Sequence, residues 1–252
     1  MAHYKIGYGG TAGLEETVYA NLKSVLQTNY NDKLTVTADD ANLTMTLGFK
    51  TLGSYVKVIC GQATYAYQQT LIIRFYDSTD TEIYSTMVNS SRYLSSTAAT
   101  LFFYMDVVEL QNDGLLFGFR VGADGVSTYN DIMFGFIDDD THPCIIFPAR
   151  YNSGEFRLYK DDDSYTLYNL SLSNYYLAAV SSTCLQIYKA FDAEEEAFLN
   201  NIYFSTISPA LSANELKLAS IGNQKFYIWN PDTQQLANNS GIILECTDKF
   251  VN

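Results

Sequence analysis

Leu34-Thr35-Val36-Thr37-Ala38 and Leu43-Thr44-Met45-Thr46-Leu47-Gly48-Phe49 alternate apolar with small polar residues, and Asp39-Asp40-Ala41-Asn42 separates them. An extended chain sends successive side chains to opposite faces. Each run therefore predicts a half-buried strand, and the four residues between predict a turn. The same reading extends downstream to strands at 55–60, 64–67, 71–76 and 82–88, with 77–81 (Asp-Ser-Thr-Asp-Thr) as a hairpin loop. Residues 100–110, with Leu101-Phe102-Phe103-Tyr104-Met105-Asp106-Val107-Val108 at the centre, are nearly continuously apolar, which predicts a strand covered on both faces. Strands at 115–121 and 131–137 follow, and each carries a Phe-Gly-Phe, at Phe117-Gly118-Phe119 and Phe134-Gly135-Phe136. A glycine inside a strand weakens it unless something packs closely there, so each is expected to seat an aromatic of the other strand. Further strands are expected at 144–147, 156–160, 165–169, 185–190, 216–220, 225–229 and 242–246.

Two stretches break the period of two. Leu14, Val18, Leu22, Val25 and Leu26 share one helical face, with Thr11 placed to cap the start and Glu15 and Glu16 at the positive end of the dipole. A short second helix is expected from Asp192 to about residue 200, because Asp192-Ala193-Glu194-Glu195 matches an acidic variant of the capping box. The fold class is thus mainly β. It is read as an antiparallel, jelly-roll-like β-sandwich over 32–190, with an N-terminal arm and helix over 1–31 and a small C-terminal β-rich module over 191–252.

Composition narrows the function. The 252 residues hold 15 Lys and Arg against 28 Asp and Glu, a net charge of −13, and 69 Ser, Thr, Asn and Gln outnumber the charged residues. A chain this acidic argues against nucleic acid or an anionic membrane as partner, because both repel a surface of their own sign. Charge is uneven: residues 1–76 sum to +1 and residues 77–149 to −9. The near-neutral first quarter is the better docking region for another acidic copy or partner. The beginning lacks the apolar run of roughly 7 to 15 residues found in a signal peptide, so a cytoplasmic site of folding is expected. Cys60, Cys144, Cys184 and Cys246 are widely spaced and three lie in apolar runs, which predicts reduced core residues.

No catalytic or metal motif emerges, and the expectation is no enzyme and no cofactor. His142 follows three aspartates at 138–140, but no G-x-S-x-G supplies a nucleophile. The acidic triplets at 138–140 and 161–163 do not follow the spacing of a calcium loop and read as solvated turns. Paired tyrosines, Tyr65/Tyr67, Tyr165/Tyr168 and Tyr175/Tyr176, together with Tyr203, suit either subunit interfaces or a stacking face for a host surface glycan. Of these, Tyr175 and Tyr176 are the candidate glycan-stacking pair. At the N-terminus Tyr4, Ile6 and Tyr8 alternate among Gly7, Gly9 and Gly10. They are expected to form an assembly arm, without order alone, that adds a strand to a neighbouring copy.

The tail carries a resemblance. Glu215-Leu216-Lys217-Leu218-Ala219-Ser220-Ile221-Gly222-Asn223-Gln224-Lys225-Phe226-Tyr227-Ile228-Trp229 and Gly241-Ile242-Ile243-Leu244-Glu245-Cys246 are similar to C-terminal modules of tailed-bacteriophage head- and tail-associated proteins. The low-charge, Thr-, Asn- and Tyr-rich β composition resembles them as well. The resemblance implies a non-enzymatic virion subunit, repeated in a ring, trimer or lattice among other virion proteins. It transfers no catalytic residue, and it does not separate head from neck, tail or baseplate. A carbohydrate- or receptor-binding module is the alternative.

Overall fold

The computed structural model describes residues 2–10, 13–62, 69–89, 100–110, 113–123, 130–138, 143–148, 156–159, 161, 165–168, 176–180, 183–192, 197–206, 217–221, 224–229 and 240–246. The chain is mainly β. Its strands are β1 (Ala2–Gly9), β2 (Leu34–Asp39), β3 (Thr44–Phe49), β4 (Tyr55–Gln62), β5 (Gln69–Tyr76), β6 (Glu82–Asn89), β7 (Leu101–Glu109), β8 (Leu115–Ala123) and β9 (Asn130–Asp138). They continue with β10 (Pro143–Pro148), β11 (Phe156–Tyr159), β12 (Tyr165–Tyr168), β13 (Tyr176–Val180), β14 (Thr183–Asp192), β15 (Ala197–Thr206), β16 (Lys217–Ile221), β17 (Gln224–Trp229) and β18 (Ser240–Cys246). Helix α1 spans Leu14–Asn29.

Among the described residues the strands make three sheets, ordered β1-β7-β8-β9-β10-β11-β12, β2-β3-β4-β5-β6 and β13-β14-β15-β18-β17-β16. The chain divides into two compact units, one of Ala2–Val107 with Phe117–Ile132, the other chiefly of Val108–Leu116 with Met133–Asn252.

In the first unit the alternation at 34–49 becomes the β2–β3 hairpin, in register from Leu34 opposite Phe49 to Asp39 opposite Thr44. Met45, Leu47, Phe49, Val56, Val58, Cys60, Leu71, Ile73 and Phe75 are buried on the inner face of the five-stranded sheet. Helix α1 touches β1, β2, β4 and β5. Its Leu14, Val18, Tyr19, Leu22 and Leu26 are buried. The antiparallel sheets and this helix build a β-sandwich with an N-terminal helix, as the alternation requires. Glu15 and Glu16 sit in the first turn of the helix as expected, but the residue at its N-cap is Gly13, in the left-handed region at φ 68°. That conformation strains any residue with a Cβ. Thr11 lies outside the described residues.

The arm is the main correction. Residues 2–9 are β1, paired antiparallel with β7 of the same chain from Ala2 opposite Val107 to Gly9 opposite Leu101. Ile6 is fully buried and its carbonyl accepts a hydrogen bond from Asn21 Nδ2 at 3.0 Å. The glycine read as a source of freedom is a contact point: a Cβ on Gly7 would collide with Val18 Cγ2 and come within 3.4 Å of Leu14 Cδ1. Val18 has one strongly preferred χ1 in a helix and cannot turn aside cheaply. Gly7→Ala should therefore cost about 1–3 kcal/mol of stability, read as a lower melting temperature. Unchanged melting would show that β1 does not press on α1.

The second unit brings two further corrections. Predicted as helix, 192–200 falls instead on the β14–β15 pair, where Asp192 is opposite Ala197 and Phe191 opposite Phe198. The aromatic and β-branched residues of Ala197–Thr206 favour an extended chain, and the four-residue acidic signal is too short to nucleate a helix against it. Residues 193–196 lie outside the described residues. The boundary at 190/191 also falls inside β14, since one sheet runs from Tyr176 to Cys246. The C-terminal sheet has a Greek-key order, in which β18 returns beside β15, whereas β2 to β6 form a simple meander. Beyond the arm, sequence reading missed β13 and β15. The expected strand at 64–67 lies outside the described residues.

Candidate functional site

The outer, solvent-side face of the five-stranded sheet gathers the chemistry the sequence scatters. The β4–β5 hairpin pairs Tyr55 with Tyr76, Lys57 with Arg74 and Ile59 with Ile72. β6 adds Met87 opposite Ile72 and Ser85 opposite Arg74. Directly paired residues share a face, so three rows cross the sheet: aromatic, cationic and apolar. The Tyr55 and Tyr76 rings stack 5.0 Å apart at 11°. Lys57 Nζ lies 4.6 Å from the Tyr76 centroid and 5.3 Å from that of Tyr55. Tyr55 donates its hydroxyl proton to Asp80 Oδ1 at 2.9 Å, and burial, then this bond, pushes its pKa up to about 12. Arg74 Nη1 reaches Glu82 Oε2 at 3.3 Å. Among the described residues Lys57 has ring contacts and no carboxylate within salt-bridge distance. Met87 is 54% exposed.

The hairpin loop below this face is rigid by construction. The Asp77 carboxylate accepts bonds from the Thr79 amide, the Thr79 hydroxyl and the Thr81 amide at 2.7–2.8 Å. The Thr81 and Thr79 bonds hold Asp77 below its ordinary pKa of 3.8.

A second cluster joins β1, β7 and β8. Asp106, buried within the apolar run of β7, accepts from His3 Nδ1 at 2.5 Å and from Arg120 Nη2 at 3.4 Å. His3 also stacks on Tyr104, 4.8 Å between centroids. Here a buried carboxylate is compensated by partners on both neighbouring strands. This arrangement fastens the N-terminal strand.

Beside α1 lies an open depression of ≈ 520 Å³ lined by Tyr19, Ala20, Lys23, Ser24, Gln27, Thr28 and Asp40. Asp40 accepts from Lys23 Nζ and from the Tyr19 hydroxyl, each at 2.6 Å. Lys23, then Tyr19, hold Asp40 below its ordinary pKa of 3.8. The contact is therefore present above that value and lost as pH falls through the lowered one. Lys23, Tyr19 and Asp40 thus answer one another, which suits a clamp between helix and turn.

The candidates named from sequence are dispersed. Tyr4 turns inward, its hydroxyl 3.0 Å from that of Tyr30, and Ile6 is core. Tyr8 is 53% exposed, with Lys5 Nζ 3.6 Å above its ring. Tyr176 opens β13 opposite Ile187, while Tyr175 lies outside the described residues, as does His142. Asp138 and Asp161 are described without the rest of their triplets. Cys60 and Cys144 are buried and form no disulfide, and burial pushes the Cys60 thiol up to about 12. Among the described residues no three His, Cys, Asp or Glu converge as a metal site, and no helix is long and apolar enough to cross a membrane.

The Tyr55–Tyr76 row was legible in principle. Two eight-residue strands in one hairpin must pair first with last, but the reading looked for tyrosines close in sequence and not across a turn. No family model, no curated protein and no solved structure matches this chain.

Proposed function

We propose that this chain is a non-enzymatic structural subunit of a bacteriophage virion, which self-associates and binds neighbouring head, neck, tail or baseplate proteins. One observation supports the reading above the others. A confined, solvent-side sheet face carries Tyr55, Tyr76, Arg74 and Met87, residue types enriched at the centres of protein interfaces. The tail resemblance gives the assembly its class. Sedimentation equilibrium of the purified chain tests self-association: a mass rising with concentration is expected, and a monodisperse monomer at every concentration contradicts it.

A second reading, a carbohydrate- or receptor-binding module, draws on the Tyr55–Tyr76 stack, because aromatic rings are natural platforms for sugars. Lys57 occupies space above those rings, which favours the interface reading. Titration with host-wall polysaccharide is expected to give no saturable binding. Saturable binding that disappears in a folded Tyr76→Ala variant would reverse the preference.

A further inference from the structure

We infer that the outer face of the β2–β6 sheet is a contact between copies of this chain, in which carboxylates of one copy meet Lys57 and Arg74 of the next. The inference rests on the proposed self-association and names its surface. Every copy carries −13, and residues 77–149 alone carry −9, so two copies repel unless their contact joins excess acid to a cationic island. Lys57 and Arg74 form such an island, paired across β4 and β5. Of the two, Arg74 has Glu82, whereas among the described residues the Lys57 ammonium meets only aromatic rings and is poised for a carboxylate from outside. Ile59, Ile72 and Met87 lie beside it as the apolar row that such a contact would cover.

A contact of Lys57 on one copy with carboxylates elsewhere on the next is heterologous, and heterologous contacts close into rings or continue as lattices. Size sets its strength. Five strands about 4.8 Å apart and about six residues long give a footprint on the order of 400 Å², against about 800 Å² per partner in a standard interface. Each contact is weak, and repetition around an assembly supplies the rest.

The test is sedimentation velocity of the full chain, wild type against Lys57→Glu and, separately, Met87→Lys, at low and high salt. Met87 is 54% exposed, so its variant folds even if the charge reversal perturbs the sheet. The expected result is concentration-dependent association of the wild type that weakens with salt and falls by about tenfold or more in each folded variant. Association unchanged in both variants overturns the inference and leaves the structural function standing on another surface. A wild type that stays monomeric overturns both. A monomer that instead binds an anionic polysaccharide through Lys57 replaces the second copy with a glycan.

Discussion

Gly135→Ala is expected to destabilise the protein by about 3 kcal/mol, the upper end for overpacking a core, and Gly135→Val by more. A Cβ at Gly135 would stand 2.7 Å from the Leu115 carbonyl oxygen, 3.0 Å from Leu116 Cδ1 and 3.3 Å from Ile146 Cγ2. Side chains can rotate away from an intruding methyl, but a strand carbonyl cannot. The flanking Phe134 and Phe136 are fully buried and meet edge to face at 6.2 Å, so β9 has no room to retreat. At this chain length a loss of about 3 kcal/mol lowers the melting temperature by about 6–12 °C. A thermal melt within a degree of wild type would show that β8 and β9 do not approach as described.

Asp106→Ala ranks next, at about 2–3 kcal/mol. Removing the buried carboxylate takes one ion partner from His3 and from Arg120, which retain access to water at 49% and 22% side-chain exposure. The effect should be local. Hydrogen exchange should accelerate at Ala2–Gly9, where the His3 contact holds the strand, while the five-stranded sheet keeps its protection. Acceleration spread evenly over the chain would mean that Asp106 supports the core as a whole and does not fasten β1.

These two residues also mark what the sequence can disclose. Period-two alternation at 34–49 and the apolar run at 101–109 are local signals, and the three strands and their burial follow from them. The helical face of Leu14, Val18, Leu22 and Leu26 is equally local. Non-local facts escaped. Gly7 reads as freedom until Val18 lies against it, and His3 and Asp106 stand 103 residues apart. The Phe-Gly-Phe pair was expected to seat aromatics, yet the space at Gly135 belongs to a carbonyl and two aliphatic side chains. The acidic run at 192–195 imitated a helix start because capping chemistry is short-range, while the pairing of β14 with β15 is not. The face proposed for interaction was missed for the same reason: its rows form only when β4, β5 and β6 have registered.

Quantitative mass spectrometry of purified phage particles tests the virion assignment most directly. Peptides of this chain should be present at many copies per particle and should remain after washing at physiological salt removes loosely bound protein. A chain abundant in infected cells but absent from washed particles would contradict the assignment.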